Sequence, residues 1–73
     1  MRNPEQTRKL IVEKAMLLFN LKGYRSTSLS DITKITGITK GAIYGNFENK
    51  DAVAVASFEA AVEIVLSDLR KRI

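Results

Sequence analysis

The chain has 73 residues, of which 45% are hydrophobic and 27% charged, and its formal net charge is +4. This length supports one small domain, near the lower limit at which a single hydrophobic core is sufficient. Cysteine and histidine are both absent, which excludes disulfides, zinc sites and histidine-based catalysis. We therefore expect no cofactor, no metal and no enzymatic activity. No apolar run approaches the length of a membrane span, and the N-terminus lacks a signal-peptide core, so we expect a cytoplasmic protein.

The positive charge is concentrated in the first 50 residues. Residues 1–50 contain nine Lys/Arg and four Asp/Glu, a balance of +5, whereas residues 51–73 contain three and four, a balance of −1. Such an excess is expected of a surface that contacts phosphates, although a solvated basic surface without a partner has the same composition. The charge therefore favours nucleic-acid binding only together with a binding motif.

The first predicted helix spans residues 5–22. Its broad apolar face consists of Ile11, Ala15, Leu18 and Phe19, widened by Leu10, Val12, Leu17 and Leu21. Gly23 is the predicted C-terminal cap, and we expect Tyr24 to pack on the last helical turn. We interpret this segment as a core helix. Three residues near its start are within reach of a nucleic-acid backbone: Thr7, Arg8 and Lys9.

A hydroxyl-rich connection, residues 25–28, joins the first helix to the second. It contains Arg25, Thr27 and Ser28 directly before a predicted helix N-terminus. Free N–H groups and the helix dipole favour an anion at that position, so Thr27 and Ser28 are candidate phosphate contacts. They are equally suited to the structural roles of turn and cap residue.

The second predicted helix is Leu29–Thr36. Ser28 and Asp31 have the spacing of a capping box, in which side-chain oxygens accept hydrogen bonds from free backbone N–H groups. Gly37 is expected to end the helix in the left-handed conformation. The predicted apolar face consists of Leu29, Ile32 and Ile35.

A third, short helix follows the glycine turn. Thr39 is its predicted N-cap, and it runs to about Asn46. Ile43 and Phe47, four residues apart, give it a buried face, and Ile38 is expected to point inward from the turn. A helix, a tight glycine turn and a second short helix form a helix-turn-helix, which predicts DNA binding.

The exposed face of this third helix is small, cationic or hydrogen-bonding, and it has no carboxylate. Such a face suits close approach to base edges in the major groove. Its residues are Thr39, Lys40, Gly41, Ala42, Tyr44, Gly45 and Asn46. Two glycines in a short helix cost roughly 1 kcal/mol each relative to alanine, so close approach of a ligand or close helix packing must explain them. We favour the ligand for Gly41 and leave both explanations open for Gly45.

The last predicted helix extends from Lys50 to about Arg72 after an Asn49 N-cap. One wide apolar stripe consists of Val55, Phe58, Val62, Val65 and Leu69. A second apolar line consists of Val53, Ala60 and Ile64. We expect the wide stripe to cover the helix-turn-helix and the first helix, and the second line to lack a partner within the chain.

The order helix, Gly-Tyr, Thr-Ser, helix, turn, TKGAIYGNF, Asn-Lys-Asp and long helix resembles the N-terminal DNA-binding domain of the tetracycline-repressor (TetR) family, from about Thr7 to about Phe58. The resemblance implies that the third helix enters the major groove and that the protein represses transcription. It implies phosphate contacts from Thr27, Ser28, Thr39, Lys40, Tyr44 and Lys50. It implies base-edge contacts from Gly41, Ala42 and their neighbours, among which we include Asn46. The pair Gly45-Asn46 departs from the aromatic or histidine residues common in the family, so no base preference is implied there.

We expect an all-α fold of about four helices, with a homeodomain-like three-helix core in residues 1–50. Residues 50–73 would lead towards a C-terminal ligand-binding and dimerisation domain absent from this chain. The expected partner is double-stranded DNA, bound at a palindromic operator in the major groove by a homodimeric parent protein. The chain itself is expected to be monomeric, and a small-molecule inducer would bind only the missing domain. The alternative is a protein-interaction module that uses the apolar last helix.

Overall fold

The computed structural model describes residues 3–72, which form four α-helices and no strand. The helices are α1 (Pro4–Lys22), α2 (Leu29–Thr36), α3 (Lys40–Asn46) and α4 (Lys50–Arg72). The predicted all-α class and helix order are confirmed. None of these helices is long and apolar enough to cross a membrane.

Helix α1 begins one residue earlier than predicted. The Asn3 side chain accepts a hydrogen bond from the Gln6 N–H at 2.8 Å, and the Gln6 side chain accepts one from the Asn3 N–H. Pro4 occupies the first helical position, where a missing N–H costs nothing. At the other end the Gly23 N–H donates to the Phe19 carbonyl, and Gly23 has φ 80°, so the predicted cap is confirmed.

The α2–turn–α3 unit has the predicted caps. Asp31 N–H donates to Ser28 Oγ at 3.1 Å, and Ser28 N–H donates to Asp31 Oδ2 at 2.9 Å, which completes the capping box. Gly37 ends α2 with φ 75° and ψ 6°, a conformation that side chains with a Cβ rarely adopt. Thr39 Oγ1 accepts from the Ala42 N–H at 3.2 Å and caps α3. Local side-chain chemistry therefore determines where this unit starts and turns.

The hydrophobic core lies where all four helices meet. Its buried members are Ile11, Ala15, Ile32, Ile38, Ile43, Phe47 and Val53. Burial of one large aliphatic or aromatic side chain is worth roughly 1.5–3 kcal/mol. The turn residue Ile38 and the two α3 anchors, Ile43 and Phe47, belong to this core as predicted, so α3 is held by its inner face and by both ends.

Three apolar residues predicted to be buried are exposed. Leu17 and Leu21 on α1, and Ile35 on α2, lie outside the core. The core needs only the line of α1 through Ile11 and Ala15, because α2, α3 and α4 all converge on that side. The expectation that α1 is buried on more than one side is therefore wrong for its C-terminal half.

Helix α4 packs with the opposite face from the one predicted. The wide stripe, called the outer stripe from here on, faces solvent, with Val55 60% exposed and Phe58 70% exposed. The second apolar line is divided: Val53 is fully buried and Ala60 is half-buried, whereas Ile64 is 61% exposed and lacks a partner among the described residues, as predicted. The face that meets α1 carries small residues, Ala56, Ser57 and Ala60, beside Val53. Small side chains let two helix backbones approach closely, and the Ser57 hydroxyl donates to the Val53 carbonyl at 2.8 Å, which allows its burial. The spacing of apolar residues identified both lines on α4, but it did not show which face of this helix packs against α1.

Candidate nucleic-acid interface

Helix α3 presents a free face opposite its buried anchor. Ile43 points into the core, and the residues around the other side, Lys40, Gly41, Tyr44 and Gly45, are exposed. The helix carries a cation in its first turn and no acidic residue. This surface can approach a polyanion without repulsion and offers an ammonium and a phenol as hydrogen-bond donors.

Neither glycine of α3 is needed by the packing of the chain. Positive φ angles occur only at Gly23 and Gly37 among the described residues, so the backbone of Gly41 and Gly45 suits any residue. A Cβ at Gly41 would meet only Thr39 Oγ1, at 4.0 Å, and one at Gly45 would meet nothing within 4 Å. The helix-packing explanation thus has no support within residues 3–72, and both glycines leave open surface beside Tyr44.

The remaining predicted residues of α3 have internal partners as well. Ala42 is half-buried and packs against the core. Asn46 is half-buried, and its Nδ2 donates to the Ala42 carbonyl at 2.9 Å, which holds the side chain along its own helix. Thr39 is exposed, and its hydroxyl oxygen is the N-cap acceptor. Tyr44 is 54% exposed and projects from the free face.

Thr27 and Ser28, the two candidate phosphate contacts in the α1–α2 connection, differ in exposure. Ser28 is exposed at the start of α2. Thr27 is only 1% exposed, and its hydroxyl donates to the Gly23 carbonyl at 2.8 Å, while its N–H donates to the Tyr24 carbonyl at 3.2 Å. Both donors of Thr27 are used within the chain, so Thr27 closes the α1–α2 connection. It is not on the exposed surface where a predicted phosphate contact would have to lie.

The acidic residue beside this surface is ionised, and its charge is paired with a lysine. The Ser28 N–H and then the Lys22 ammonium, at 3.2 Å, lower the pKa of Asp31 to about 2. Lys22 comes from the last turn of α1, so the ion pair also joins α1 to the start of α2. The one carboxylate of α2 therefore does not present an uncompensated negative charge next to Ser28.

Lys50, at the start of α4, is positioned by Tyr24, a contact that the sequence did not predict. Its ammonium lies 4.0 Å from the centre of the Tyr24 ring, a cation–π contact. The Tyr24 hydroxyl donates to the Asp51 carboxylate, and the ring packs on Phe19 with centroids 5.7 Å apart. The predicted packing of Tyr24 on α1 is confirmed, and the same ring holds Lys50 beside the helix-turn-helix. The Gly-Tyr and Asn-Lys-Asp motifs are visible in the sequence, but Tyr24 and Lys50, which contact each other, are 26 residues apart.

Comparison with known proteins identifies the chain's relatives. The family described as bacterial regulatory proteins, tetR family, matches residues 11–56. The HTH-type transcriptional regulator AcrR of Shigella flexneri is 46% identical over 46 residues, which are 63% of this chain and 21% of AcrR. The negative transcriptional regulator IcaR of the Staphylococcus epidermidis biofilm operon icaADBC is 39% identical over 49 residues, 67% of this chain and 26% of IcaR.

A solved structure agrees with the fold along almost the whole chain. The crystal structure of a TetR-family transcriptional regulator from Cytophaga hutchinsonii has a TM-score of 0.85 and 46% sequence identity, and the match covers 97% of this chain and 36% of that one. The chain thus spans about a third or less of the length of these relatives. With its capped helix-turn-helix, its matching core and these relatives, the chain belongs to the TetR family of bacterial regulatory proteins and contains the family's N-terminal helix-turn-helix domain.

Proposed function

We propose that this domain reads DNA by placing α3 in the major groove, as part of a transcriptional regulator. The observation that carries the proposal is the free face of α3, where two glycines with no internal role lie beside Lys40 and Tyr44. A helix must come close to base edges to read them, and residues without side chains permit that approach. The family membership and the regulator names of the relatives support the same function.

Within this surface we assign two kinds of contact. Lys40, Tyr44, Ser28 and Lys50 would bind phosphates, because each offers a hydroxyl or ammonium donor at the edge of the motif. The Thr39 hydroxyl would join them beside the start of α3. Base edges would be contacted by Gly41, Ala42 and Asn46; the amide oxygen is the available atom of Asn46, since its Nδ2 donates to Ala42. Thr27 is left out because it is buried.

The direct test is a gel mobility shift with a duplex pool of mixed sequence at low salt, followed by rounds of selection. We expect retention of the pool and enrichment of a defined sequence. Neutralisation of about three or four phosphates gives a slope of log affinity against log salt on the order of −3. Retention without enrichment would refute specific reading, and a slope near zero would refute the electrostatic part of the proposal.

Other properties concern the whole protein, and we propose them from the relatives. Repression is suggested by IcaR, which is named a negative transcriptional regulator. The greater length of the relatives supports a further C-terminal domain that dimerises and binds a small inducer, and two linked domains would read a palindromic operator one helical turn apart, or a multiple of it. A protein with this role would act in the cytoplasm, where bacterial DNA is located.

A second candidate function rests on α4. The outer stripe leaves Val55, Phe58 and Val65 largely exposed, which is unusual for a helix that is otherwise part of a compact domain. In a protein-interaction module this stripe would bind a partner, and the helix-turn-helix would be a scaffold. Sedimentation at micromolar concentration, with and without a selected duplex, separates the two functions. We expect a monomer that binds one half-site, whereas a tight dimer without DNA binding would favour the interaction module.

A further inference from the structure

The C-terminal end of α3 lacks a cation of its own. Helices α1, α2 and α4 each carry Lys or Arg in their last turn, where positive charge complements the helix dipole, but the last turn of α3 has none. Four carbonyls at a helix end have no partner within the helix. In α3, which has seven residues, these terminal carbonyls are a large share of all the backbone carbonyls of the helix.

Arg8 of α1 supplies the missing cation from another helix. Its Nη1 donates to the Asn46 carbonyl at 3.2 Å, and its guanidinium carbon lies 4.3 Å from the centre of the Phe47 ring. Asn46 is the last residue of α3 and Phe47 is its C-cap. One side chain therefore satisfies a terminal carbonyl of α3 and covers the aromatic ring that anchors this end in the core.

The geometry points to Arg8 as a positioning residue that sets the orientation of the recognition helix without touching DNA. This inference rests on the proposed function, since it concerns how α3 is presented to the groove. The N-terminal end of α3 is fixed by the Thr39 cap and by buried Ile38. Without Arg8, the C-terminal end would keep the burial of Ile43 and Phe47 and the hydrogen bonds within the helix, but no contact from α1 to its terminal carbonyl, and the free face could tilt about its N-terminal end. Base contacts depend on that angle, whereas phosphate contacts tolerate more movement.

The main variant is Arg8→Met, which keeps a long unbranched side chain over Phe47 and removes the charge and the donors. Lys9→Met is the matched control, because it removes one exposed cation from the next position of the same helix. A phosphate contact from Lys9 would lower both affinities together and leave their ratio unchanged. Affinity is measured for a duplex selected with the unmodified chain and for a random duplex, each over a range of salt. We expect the ratio of specific to random affinity to fall on the order of fivefold in Arg8→Met, as one exposed cation–π contact and one hydrogen bond are lost. The salt slope and the Lys9→Met ratio should stay unchanged, and Arg8→Lys should restore part of the ratio.

A second measurement needs no DNA. The Phe47 N–H donates to Ile43 O at the end of α3, and the Gly37 N–H donates to Thr33 O at the end of α2, both at 2.8 Å. In Arg8→Met, hydrogen exchange should accelerate several-fold more at the Phe47 amide than at the Gly37 amide, because only the α3 end loses its cap. A general loss of stability would accelerate both equally and would contradict the inference.

The remaining outcomes are also decisive. If both affinities fall together and the magnitude of the salt slope drops by about 0.9, Arg8 binds a phosphate directly and the positioning role is wrong. An unchanged affinity ratio would also overturn it. If the unmodified chain selects no sequence at all, the proposed function fails, while the exchange measurement still decides whether Arg8 holds the end of α3.

Discussion

Replacement of Gly41 by leucine tests directly why α3 contains a glycine in its first turn. A Cβ at this position would approach only Thr39 Oγ1, at 4.0 Å, and the backbone is not in the left-handed region. Leucine is favoured over glycine in a helix interior by roughly 0.5–1 kcal/mol, and less in a first turn. We therefore expect the free energy of unfolding of Gly41→Leu to be unchanged or raised by up to about 1 kcal/mol. For a domain of this size, 1 kcal/mol corresponds to roughly 4–8 °C in Tm.

The same substitution should remove specific DNA binding. The leucine side chain would project from the free face and keep α3 away from base edges, so one or two base contacts worth ~1–3 kcal/mol each would be lost. We expect the affinity for a selected duplex to fall about 10- to 1000-fold, while the affinity for random DNA, which depends on phosphates, changes little. Thermal unfolding and fluorescence anisotropy measure the two effects.

Gly41→Ala, which adds one carbon, is the graded control and should show a smaller loss. Two results would refute the reasoning. A destabilisation of more than about 1 kcal/mol would make Gly41 a packing residue after all. Unchanged specific binding by a folded Gly41→Leu would show that this face of α3 is not the DNA surface.

Three further predictions follow from individual contacts. Tyr44→Phe should weaken binding to every duplex by a similar amount, roughly 0.5–1.5 kcal/mol, if the hydroxyl donates to a phosphate; a loss confined to the selected duplex would instead indicate a base contact. The pKa of Asp31 is lowered from 3.8 to about 2 in the fold, so the stability that this carboxylate contributes is present above pH 4 and disappears as the pH falls towards 2. In urea titrations the advantage of the unmodified chain over Asp31→Asn should therefore shrink through this range, and an advantage independent of pH would contradict the assignment. Val53→Ala should destabilise the domain by about 2 kcal/mol, since it empties a fully buried site, whereas Val55→Ala should change stability by less than about 0.5 kcal/mol; equal effects would mean that the packed face of α4 has been misidentified.

The helix boundaries around the turn could be read from the sequence because local chemistry decides them. Ser28 with Asp31, Gly37 and Thr39 each act on backbone groups within four residues, and each cap lies where it was predicted. The start of α1 lies one residue before the predicted one, at the Asn3–Gln6 capping box, whose spacing is present in the sequence. Capping motifs therefore predict the architecture of this domain well.

The packed face of α4 could not be predicted in the same way. Helix α4 has two apolar lines, and the prediction placed the one with the larger side chains in the core. The face of α4 that packs against the core carries Val53 from the second line together with Ala56 and Ser57, which belong to neither line. The spacing of apolar residues within α4 contains no information about the surface of α1 against which the helix packs.

Two side-chain roles could not be decided from the sequence alone. Thr27 has the residue type of a phosphate ligand and of a turn residue, and the fold selects the turn role by pairing its hydroxyl with the Gly23 carbonyl, four residues away. Arg8 is a candidate nucleic-acid contact in the sequence, but in the fold it contacts Asn46 and Phe47, which lie 38 and 39 residues further along the chain. A polar or charged side chain has several possible partners, and only the tertiary structure selects one.

The shortness of α3 has a consequence for how mutations in this domain would be classified in a genetic screen. Seven residues with two glycines cannot hold a helix in isolation, since helices below about 12 residues are marginal in water even with favourable sequences. The proposed DNA-binding face of α3 therefore exists only while Ile43, Phe47 and Ile38 are packed in the core. Substitutions at these buried positions would deprive a cell of operator recognition as completely as substitutions on the free face. They would be separated from true contact residues by their lower protein abundance, because a partly unfolded domain is degraded, whereas a folded domain with an altered free face accumulates normally.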